Sequence, residues 1–229
     1  MRALLLAAGL GTRLRPLTNT MPKCLVTIKD QVLLGIWLDR LVQAGVESFL
    51  INTHHLSNQV ETYVEGNPYS DKVTLVHEKK LLGTAGTLIA NLNFFEKQDG
   101  LLVHADNYCL ANFHDFIQAH NQRPPYCVMT MMTFRSETPD TCGIVELDAE
   151  GVVVGFHEKV INPPGNLANG AVYILSPELI QKLATDLHEV SDFSTEVLQH
   201  LVGKIYTYET QEYFIDIGTP ETYGKANSN

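Results

Sequence analysis

Apolar and polar positions alternate along the chain in blocks that predict strands and helices in turn. Residues 3–7 are apolar throughout and lead into a glycine-containing segment, which is typical of a parallel strand buried on both faces. Leu34, Leu38 and Leu41 then recur at helical spacing, and residues 48–52 form a second apolar run. A strand, a helix and a second strand in this order predict one βαβ unit with the first strand in the interior of a sheet.

The same alternation continues to residue 104. The further elements that it predicts are a helix over 57–65, a strand over 73–77, a helix over 84–92 and a strand over 101–104. Because strands and helices alternate over this whole half of the chain, we predict an α/β fold with a Rossmann-like, doubly wound and mainly parallel sheet.

The pattern changes after Pro124 and Pro125, where strands follow one another with only turn residues between them. They are predicted over 126–133, 143–147 and 152–157, with a hairpin turn at 148–151. This part of the mixed sheet is therefore predicted to be a small antiparallel region. The remaining predicted elements are a strand over 170–175, a helix that begins at Pro177, a helix after Asp192 and a strand over 205–209.

Composition and charge narrow the class of protein. Of the 229 residues, 45% are hydrophobic and 18% are charged, so the chain can form a substantial core and is predicted to be one domain. The net charge of −10 at pH 7 and the isoelectric point near 5.3 disfavour binding to nucleic acid or to an anionic membrane surface. The sequence also has no uninterrupted apolar stretch of about 18 residues, the length that a membrane-spanning helix needs.

Two further features concern the cellular compartment. The four cysteines show no metal-ligand spacing, which favours reduced thiols in a reducing compartment. The short apolar run that follows Met1 and Arg2 lacks the cleavage-site pattern of a signal peptide. We therefore expect a cytoplasmic protein.

The first candidate for chemistry is the loop from Gly9 to Arg15, directly after the first predicted strand. Its glycines let backbone N–H groups approach an anion closely, and its arginines supply positive charge. The loop is not the dinucleotide fingerprint, because the third glycine position is Leu14, and it is not a P-loop, because no Gly-Lys-Ser/Thr sequence follows. From the glycines alone, a strand exit with solvated arginines is an equal alternative.

The distribution of charge favours the phosphate interpretation. Residues 1–29 contain five basic residues and no acidic residue, within a protein of net charge −10. The five are Arg2, Arg13, Arg15, Lys23 and Lys29. A positive segment at the carboxyl edge of a central strand is what a polyphosphate site requires.

An ordered set of motifs along nearly the whole chain resembles the sugar-1-phosphate nucleotidylyltransferase family. The motifs are Gly9-x-Gly11-Thr12-Arg13 with Pro22-Lys23, Glu78-x-x-Leu81-Leu82-Gly83-Thr84-Ala85-Gly86, His104-Ala105-Asp106, Gly143, Glu158-Lys159, Asn169-Gly170-Ala171-Val172-Tyr173 and Asp216-Ile217-Gly218-Thr219-Pro220. The resemblance implies the nucleotide-diphospho-sugar transferase fold, with a nucleotide-binding half over about 1–123 and a sugar-phosphate-binding half over about 124–229.

The resemblance also implies roles for individual residues. The catalytic residues would be Arg13, Lys23 and Asp106. The nucleotide would be bound by Leu6, Ala8, Gly9, Gly11, Thr12, Arg13, Glu78, Gly83 and Thr84. The sugar phosphate would be bound by Gly143, Glu158, Lys159 and Asn169. The reaction implied is in-line attack by a sugar 1-phosphate on the α-phosphorus of a nucleoside triphosphate, with release of pyrophosphate.

Asp106 and Asp216 are the candidate metal ligands. Each follows or ends a short apolar segment, so each carboxylate is expected at the end of a strand, where α/β proteins bind ligands. Carboxylate and phosphate oxygens are the ligands that Mg²⁺ prefers, with water filling the remaining positions. The alternative for each aspartate taken alone is a cap of a helix or turn.

The chain departs from the family pattern in three places. The strand-end aspartate follows Ala105 where the family usually has glycine, which we expect to be tolerated, and Val160 stands where proline usually follows the Glu-Lys pair. The chain also ends at Asn229, so that an appended β-helix with a second activity is not expected. These features resemble the short, single-domain members of the family.

Residues 191–197 and 205–208 most resemble guanylyltransferases that act on manno-configured hexose or heptose 1-phosphates. Uridylyl or thymidylyl transfer is the alternative within the family, and a sensor that binds nucleotide sugars without catalysis is the alternative outside it.

A phosphocholine acceptor would need an aromatic cage, whereas Trp37 lies in an amphipathic segment and is predicted to be core. The apolar run over 126–133 fits either a homodimer contact or burial within one chain.

Overall fold

The computed structural model describes residues 1–228, within which the chain forms thirteen β-strands and seven α-helices. The strands are β1 (Arg2–Leu6), β2 (Thr27–Ile28), β3 (Gln31–Val32), β4 (Ser48–Thr53), β5 (Val73–His77), β6 (Gly100–His104), β7 (Asn107–Cys109), β8 (Met129–Arg135), β9 (Gly143–Leu147), β10 (Val153–Glu158), β11 (Leu167–Leu175), β12 (Ile205–Glu209) and β13 (Phe214–Asp216). The helices are α1 (Leu33–Gln43), α2 (Ser57–Glu65), α3 (Thr84–Ala90), α4 (Phe113–Asn121), α5 (Pro177–Thr185), α6 (Leu198–Leu201) and α7 (Pro220–Ser228). None of the helices within residues 1–228 is long and apolar enough to cross a membrane.

The chain divides into two compact units that are interleaved in sequence. The first unit consists of Met1–Leu81, Val103–Leu110 and the part of the chain from Tyr213 onward. The second consists of Leu82–Leu102 and Ala111–Glu212. Each unit has its own sheet segment and its own predicted site residues, and they are described in turn.

Parallel strands form the centre of the first unit. β4 pairs in parallel with β1 on one side and with β5 on the other. The interior positions of β1 and nearly all of β4 are buried, which is the near-continuous burial expected of a parallel strand covered on both faces. The predicted βαβ unit and the parallel sheet are therefore confirmed.

Helix α1 buries a stripe of apolar side chains. Its buried residues are Leu33, Leu34, Ile36, Trp37, Leu38 and Leu41. The indole N–H of Trp37 donates to the backbone oxygen of Asn107, 2.9 Å away, which satisfies the polar atom of an otherwise apolar buried side chain. The prediction that Trp37 belongs to the core is confirmed, since it is 1% exposed.

Two short antiparallel pairs in the first unit were not predicted from the hydrophobic pattern. β2 pairs with β3, and β7 pairs with β13 so that Asp216 lies opposite Asn107. Strands of two or three residues are too short to carry a detectable alternation. The second pair brings the segment from Tyr213 back beside residues 107–109.

In the second unit, β9 pairs antiparallel with β10 and β11, which confirms an antiparallel region and the predicted hairpin turn. β8 differs from the prediction, because it runs over Met129–Arg135 and pairs antiparallel with β11 and parallel with β12. Sequence order alone does not specify which non-consecutive strands become neighbours. The three methionine side chains of β8 are buried, and Phe134 is partly buried.

Helix ends in this unit follow ordinary capping chemistry. α5 begins at Pro177 as predicted, and the Ser176 hydroxyl accepts from the N–H of Leu179. α4 was not predicted, although Asn112 caps it and Phe113 and Phe116 are buried at helical spacing. α3 ends at Ala90, two residues before the predicted end.

We expect stability to fall as the pH is lowered through the ordinary pKa of histidine, because of the buried His120. Its Nδ1 lies 2.8 Å from the Thr130 hydroxyl and its Nε2 lies 3.5 Å from Asp99 Oδ1. Burial lowers the pKa of His120. Asp99 raises this pKa and Arg123 lowers it further, and the net shift is downward. The folded state therefore favours neutral histidine, whereas the unfolded state takes up a proton near pH 6.5. The melting temperature should decrease between about pH 7 and pH 5.

In the variant His120→Gln, the melting temperature should depend less on pH between about pH 7 and pH 5, because the residue that gains the proton on unfolding has been removed. His188→Gln is the matched control, since His188 is an exposed histidine of the same unit. An unchanged pH slope in His120→Gln would contradict the assignment.

Candidate functional site

The glycine-containing loop lies at the carboxyl end of β1, where the neighbouring parallel strands also end. Gly11 has a φ of 59°, in the left-handed region that favours glycine. The Thr18 hydroxyl donates to the Gly11 oxygen at 2.7 Å, and a Cβ on Gly11 would lie 2.8 Å from Thr18 Cγ2. A larger residue would therefore push the loop away from its support. The loop leaves Gly9 and Thr12 exposed, while Ala8 is buried and Leu6 is partly buried.

Lys23 is the centre of the charged cluster in the first unit. Its ammonium lies 2.8 Å from Asp106 Oδ2 and 3.4 Å from Asp216 Oδ1. Only 7% of the Lys23 side chain is exposed, against 40% for Asp106 and 50% for Asp216. The structure thus brings together three residues that are separated by up to 193 positions in sequence. The buried cation joins two carboxylates that remain open on their other side.

Arg13 adds a second cation to the same cluster. Its guanidinium lies 3.6 Å from Asp216 Oδ2, and its side chain is 69% exposed. A Cβ on Gly218 would lie 3.0 Å from both Arg13 and Asp216, so a glycine at this position leaves room for the pair. Two cations and two carboxylates therefore meet beside the glycine-containing loop.

The charge of Lys23 keeps Asp106 ionised. Enclosure by the protein raises the pKa of the Asp106 carboxyl, but the Lys23 ammonium, with a smaller contribution from His104, outweighs this effect. The pKa of Asp106 is therefore below its ordinary value, and the carboxylate is available as an acceptor or a metal ligand at neutral pH.

The residues of this cluster fit a divalent cation. Asp106 and Asp216 both contact the Lys23 ammonium, and their carboxylate oxygens are the hard donor type that Mg²⁺ requires. Within residues 1–228, no group of three or more His, Cys, Asp or Glu side chains is placed to hold a metal ion. Two carboxylates leave most of an octahedral shell to substrate oxygens and water.

Glu78 follows β5 and is 5% exposed. Its Oε1 accepts from Asn52 Nδ2 at 2.9 Å, and Asn52 Oδ1 accepts from the Ala7 N–H at 2.7 Å. Glu78 was predicted as a site residue, but Asn52 was not. The available signal was an amide residue at the carboxyl end of an apolar strand, the edge at which α/β proteins bind ligands.

In the second unit, Glu158 and Lys159 lie at the end of β10. Lys159 Nζ is 3.1 Å from Glu158 Oε1, and 65% of the Lys159 side chain is exposed. Gly143 pairs with Glu158 across the strands. A Cβ on Gly143 would lie 2.6 Å from Glu158 Oε2 and 2.7 Å from the Phe156 ring. Gly143 therefore makes the space that the Glu158 carboxylate occupies.

Asn169 lies at an irregularity in β11. Its Oδ1 accepts from the Ala171 N–H at 2.9 Å, and its Nδ2 donates to the Tyr173 hydroxyl at 2.7 Å. The irregularity places Ala171 at a φ of 52°, which is strained for a residue with a Cβ. Burial raises the pKa of Tyr173, so the phenol stays protonated. Tyr173 thus fixes the orientation of Asn169, and sequence reasoning did not assign it a role.

Gly83 and Thr84 are held by the segment 191–196, which we call the clasp. The Ser191 oxygen accepts from the N–H groups of Ala85 and Gly86, and the Thr84 hydroxyl accepts from the Phe193 N–H at 2.7 Å. Glu196 stabilises the conformation of the clasp, because its Oε2 accepts hydrogen bonds from the N–H groups of Ser191 and Asp192. These hydrogen bonds lower the pKa of Glu196.

The predicted site residues therefore fall into two sets. Leu6, Ala8, Gly9, Gly11, Thr12, Arg13, Lys23, Glu78, Asp106 and Asp216 belong to the first unit. Gly83, Thr84, Gly143, Glu158, Lys159 and Asn169 belong to the second. The roles given to them in the sequence analysis stay predictions.

Comparison with known proteins identifies the family. The sequence profile of the Nucleotidyl transferase family matches residues 2–229. The chain belongs to this family. The resemblance drawn from the motifs is thereby confirmed, and so is the predicted α/β fold.

Members of the nucleotidyl transferase family with curated functions include two informative relatives. The chain is 31% identical over 228 residues to mannose-1-phosphate guanylyltransferase catalytic subunit beta of Danio rerio, covering 97% of this chain and 62% of that protein. It is 30% identical over 185 residues to glucose-1-phosphate thymidylyltransferase of Streptomyces griseus, covering 80% of this chain and 52% of that protein. The chain thus spans less than two thirds of the length of these relatives.

A solved structure matches almost from end to end. The crystal structure of HddC from Yersinia pseudotuberculosis complexed with GMP-PN is 26% identical, with a TM-score of 0.81. The match covers 99% of this chain and 97% of that chain. Relatives with guanylyl and thymidylyl names are thus both similar in sequence to this chain.

Proposed function

We propose that this chain transfers a nucleotidyl group from a nucleoside triphosphate to a sugar 1-phosphate and releases pyrophosphate. The observation that carries the proposal is the buried Lys23 ammonium between Asp106 and Asp216, beside the glycine-containing loop, in a member of this family. Such a cluster supplies fixed charge at the place where polyphosphate would lie. A cytoplasmic location and a homodimer remain predictions.

The reaction forms a bond between a phosphate oxygen of the sugar 1-phosphate and the α-phosphorus, and it breaks the bond from that phosphorus to the pyrophosphate oxygen. The nucleophile is already an anion, so no general base is needed. Lys23 and Arg13 lower the repulsion between the two polyanions and stabilise the charge that develops on the leaving group. The loop amides hold the triphosphate in place.

Asp106 and Asp216 would hold a Mg²⁺ ion. The ion, when bound, neutralises charge on the phosphate oxygens of the substrates. The contribution of the chain is to hold both carboxylates beside the Lys23 ammonium, whose charge lowers the pKa of Asp106.

The buried Glu78 favours guanine as the base. The oxygens of a carboxylate accept hydrogen bonds, and guanine presents two adjacent donors, N1–H and the 2-amino group. Uracil and thymine present one N–H between two carbonyl oxygens, which a carboxylate would repel. This chemistry, with the guanylyltransferase relatives, supports GTP over UTP or dTTP.

The second unit supplies the proposed contacts to the sugar phosphate. The exposed ammonium of Lys159 suits a phosphate, and the Glu158 carboxylate suits sugar hydroxyls, with Asn169 as a further polar contact. The guanylyltransferase relatives, named for mannose 1-phosphate, support a manno-configured hexose 1-phosphate as the acceptor. A manno-configured heptose 1-phosphate is the alternative that the resemblance of residues 191–197 and 205–208 implies. Thymidylyl transfer to glucose 1-phosphate is the second candidate, because the sequence identity to the Streptomyces griseus relative, 30%, is close to the 31% found for the Danio rerio relative.

The test is pyrophosphate release in the presence of Mg²⁺. Five nucleotides (GTP, UTP, dTTP, CTP and ATP) are crossed with mannose, glucose, glucosamine and heptose 1-phosphates. We expect the highest turnover with GTP and a manno-configured sugar, and its loss with EDTA and in Asp106→Asn. Binding of nucleotide without turnover of any pair would favour a nucleotide-sugar sensor and overturn the proposal.

Replacing Gly143 by alanine is expected to raise the KM for the sugar 1-phosphate at least about tenfold, with little change in the KM for nucleotide. The added Cβ displaces the Glu158 carboxylate or the Phe156 ring, and one lost hydrogen bond to a charged group corresponds to roughly tenfold or more in affinity. Initial rates over a range of both substrates measure the two constants.

Gly165→Ala is the control for this variant, because no atom lies within 4 Å of the position of its Cβ and its φ is ordinary. It should behave like the wild type. Equal changes in both Michaelis constants of Gly143→Ala would count against a sugar-specific role.

A further inference from the structure

Asn52 connects the ends of three parallel strands. In the sheet of the first unit it lies opposite Leu6 of β1 and opposite Val76 of β5. It is 3% exposed. Its oxygen accepts from the N–H of Ala7, where the glycine-containing loop begins, and its amide nitrogen donates to Glu78. One buried side chain thus contacts both parts of the proposed nucleotide site in this unit.

The backbone of Glu78 is fixed independently of Asn52. Its N–H donates to the Thr53 oxygen at 2.8 Å, and its own oxygen lies 2.7 Å from His54 Nδ1. These backbone contacts do not by themselves fix rotation about the Glu78 side-chain bonds. The hydrogen bond from Asn52, at 2.9 Å, restricts that rotation. Asn52 therefore acts on the direction of the carboxylate rather than on the path of the chain.

We propose that Asn52 is a positioning residue for base selection: it directs the Glu78 carboxylate toward the base and holds the Ala7 amide at the start of the phosphate loop. This inference rests on the proposed nucleotidylyl transfer. The Asn52 amide performs both tasks, because its oxygen accepts from one partner and its nitrogen donates to the other. Aspartate keeps the acceptor and loses the donor, and leucine loses both.

The test compares base selectivity in Asn52→Asp and Asn52→Leu with that of the wild type. Selectivity is the ratio of kcat/KM for GTP to that for inosine triphosphate, which lacks the 2-amino group, at a fixed sugar 1-phosphate. We expect wild-type selectivity of about tenfold or more, the effect of one hydrogen bond to a charged group. Both variants should reduce the ratio to within about threefold of unity, with the KM for sugar 1-phosphate changed less than twofold.

The double variant Asn52→Asp/Glu78→Gln separates positioning from folding. It exchanges amide and carboxylate, so that the hydrogen bond between the two side chains can form again with its direction reversed. We expect its melting temperature to return toward that of the wild type while the GTP selectivity stays lost. Recovery of selectivity in the exchanged pair would overturn the proposal.

Thr53→Val is the matched control on the same strand. The Thr53 hydroxyl is buried and has no hydrogen-bond partner within residues 1–228. Its removal should leave selectivity unchanged and the melting temperature equal or higher. If the Asn52 variants change every kinetic constant equally, Asn52 is merely structural and the inference fails.

Failure of the proposed function gives a different result. In that case the wild type shows no turnover with any pair of substrates, and the selectivity is measured instead as the ratio of dissociation constants by calorimetry. An unchanged ratio in both Asn52 variants would overturn the inference by itself.

Discussion

Replacing Lys23 by methionine is expected to lower kcat by about a hundredfold to a thousandfold, the effect of removing one preorganised charge donor from a transition state. The ammonium is buried and lies within 3.4 Å of both Asp106 and Asp216. Methionine has a similar length, so the loss of charge exceeds the change in shape. Pyrophosphate release at saturating substrates, with the melting temperature measured in parallel, checks this result.

Lys225→Met removes the same charge from the surface helix α7, where Lys225 pairs with Glu221. It should retain wild-type turnover, since exposed ion pairs of this kind contribute about 0.3–0.5 kcal/mol. If Lys23→Met folds normally and turns over within about threefold of the wild type, below even the low end expected for a transition-state donor, Lys23 is not part of the catalytic machinery.

Replacing Gly83 by alanine is expected to give the largest loss of stability, about 3 kcal/mol or more. Gly83 has φ 82° and ψ 172°, a region that is essentially restricted to glycine and costs about 1–3 kcal/mol for other residues. The added Cβ would also overlap the backbone oxygen of Ser191 in the clasp. At about 2–4 °C per kcal/mol, the melting temperature should fall by roughly 6–12 °C.

The same change should raise the KM for nucleoside triphosphate, because the clasp can no longer hold Thr84 and the start of α3 in place. Gly86→Ala is the matched control in the same turn. Its Cβ would meet the Leu82 side chain at 3.2 Å and no backbone atom closer than 4.0 Å, and alanine is the better helix former. Equal melting temperatures for the two variants would show that the clasp does not depend on a glycine at position 83.

The basic residues that are proposed to contact the substrates differ in their exposure to solvent. Lys23 is nearly buried and fixed by two carboxylates, whereas Arg13 and Lys159 are mostly exposed. A buried charge is already oriented before substrate binds, so it contributes to the transition state without further ordering. The exposed cations can capture and orient anionic substrates, with an effect that decreases as salt is added.

The local sequence was sufficient to predict several strands, helices and turns of the fold. Elements such as the first strand, α1, α2 and the hairpin between β9 and β10 depend on local hydrophobic periodicity and turn residues, which are visible in short windows. The motifs, taken in order, were sufficient to predict the family. Their glycines also have local physical reasons, such as the positive φ of Gly11 and Gly83.

The tertiary structure alone decided which distant residues meet. Lys23, Asp106 and Asp216 are brought together because β13 returns to pair with β7, and a three-residue strand leaves no periodic signal in sequence. The position of Asn52 between its two hydrogen-bond partners depends on the register of three parallel strands. The clasp likewise depends on the contact between residues 191–196 and the turn at Gly83, which are distant in sequence. Local segments report their own conformation, whereas contacts across many residues depend on packing that no short window contains.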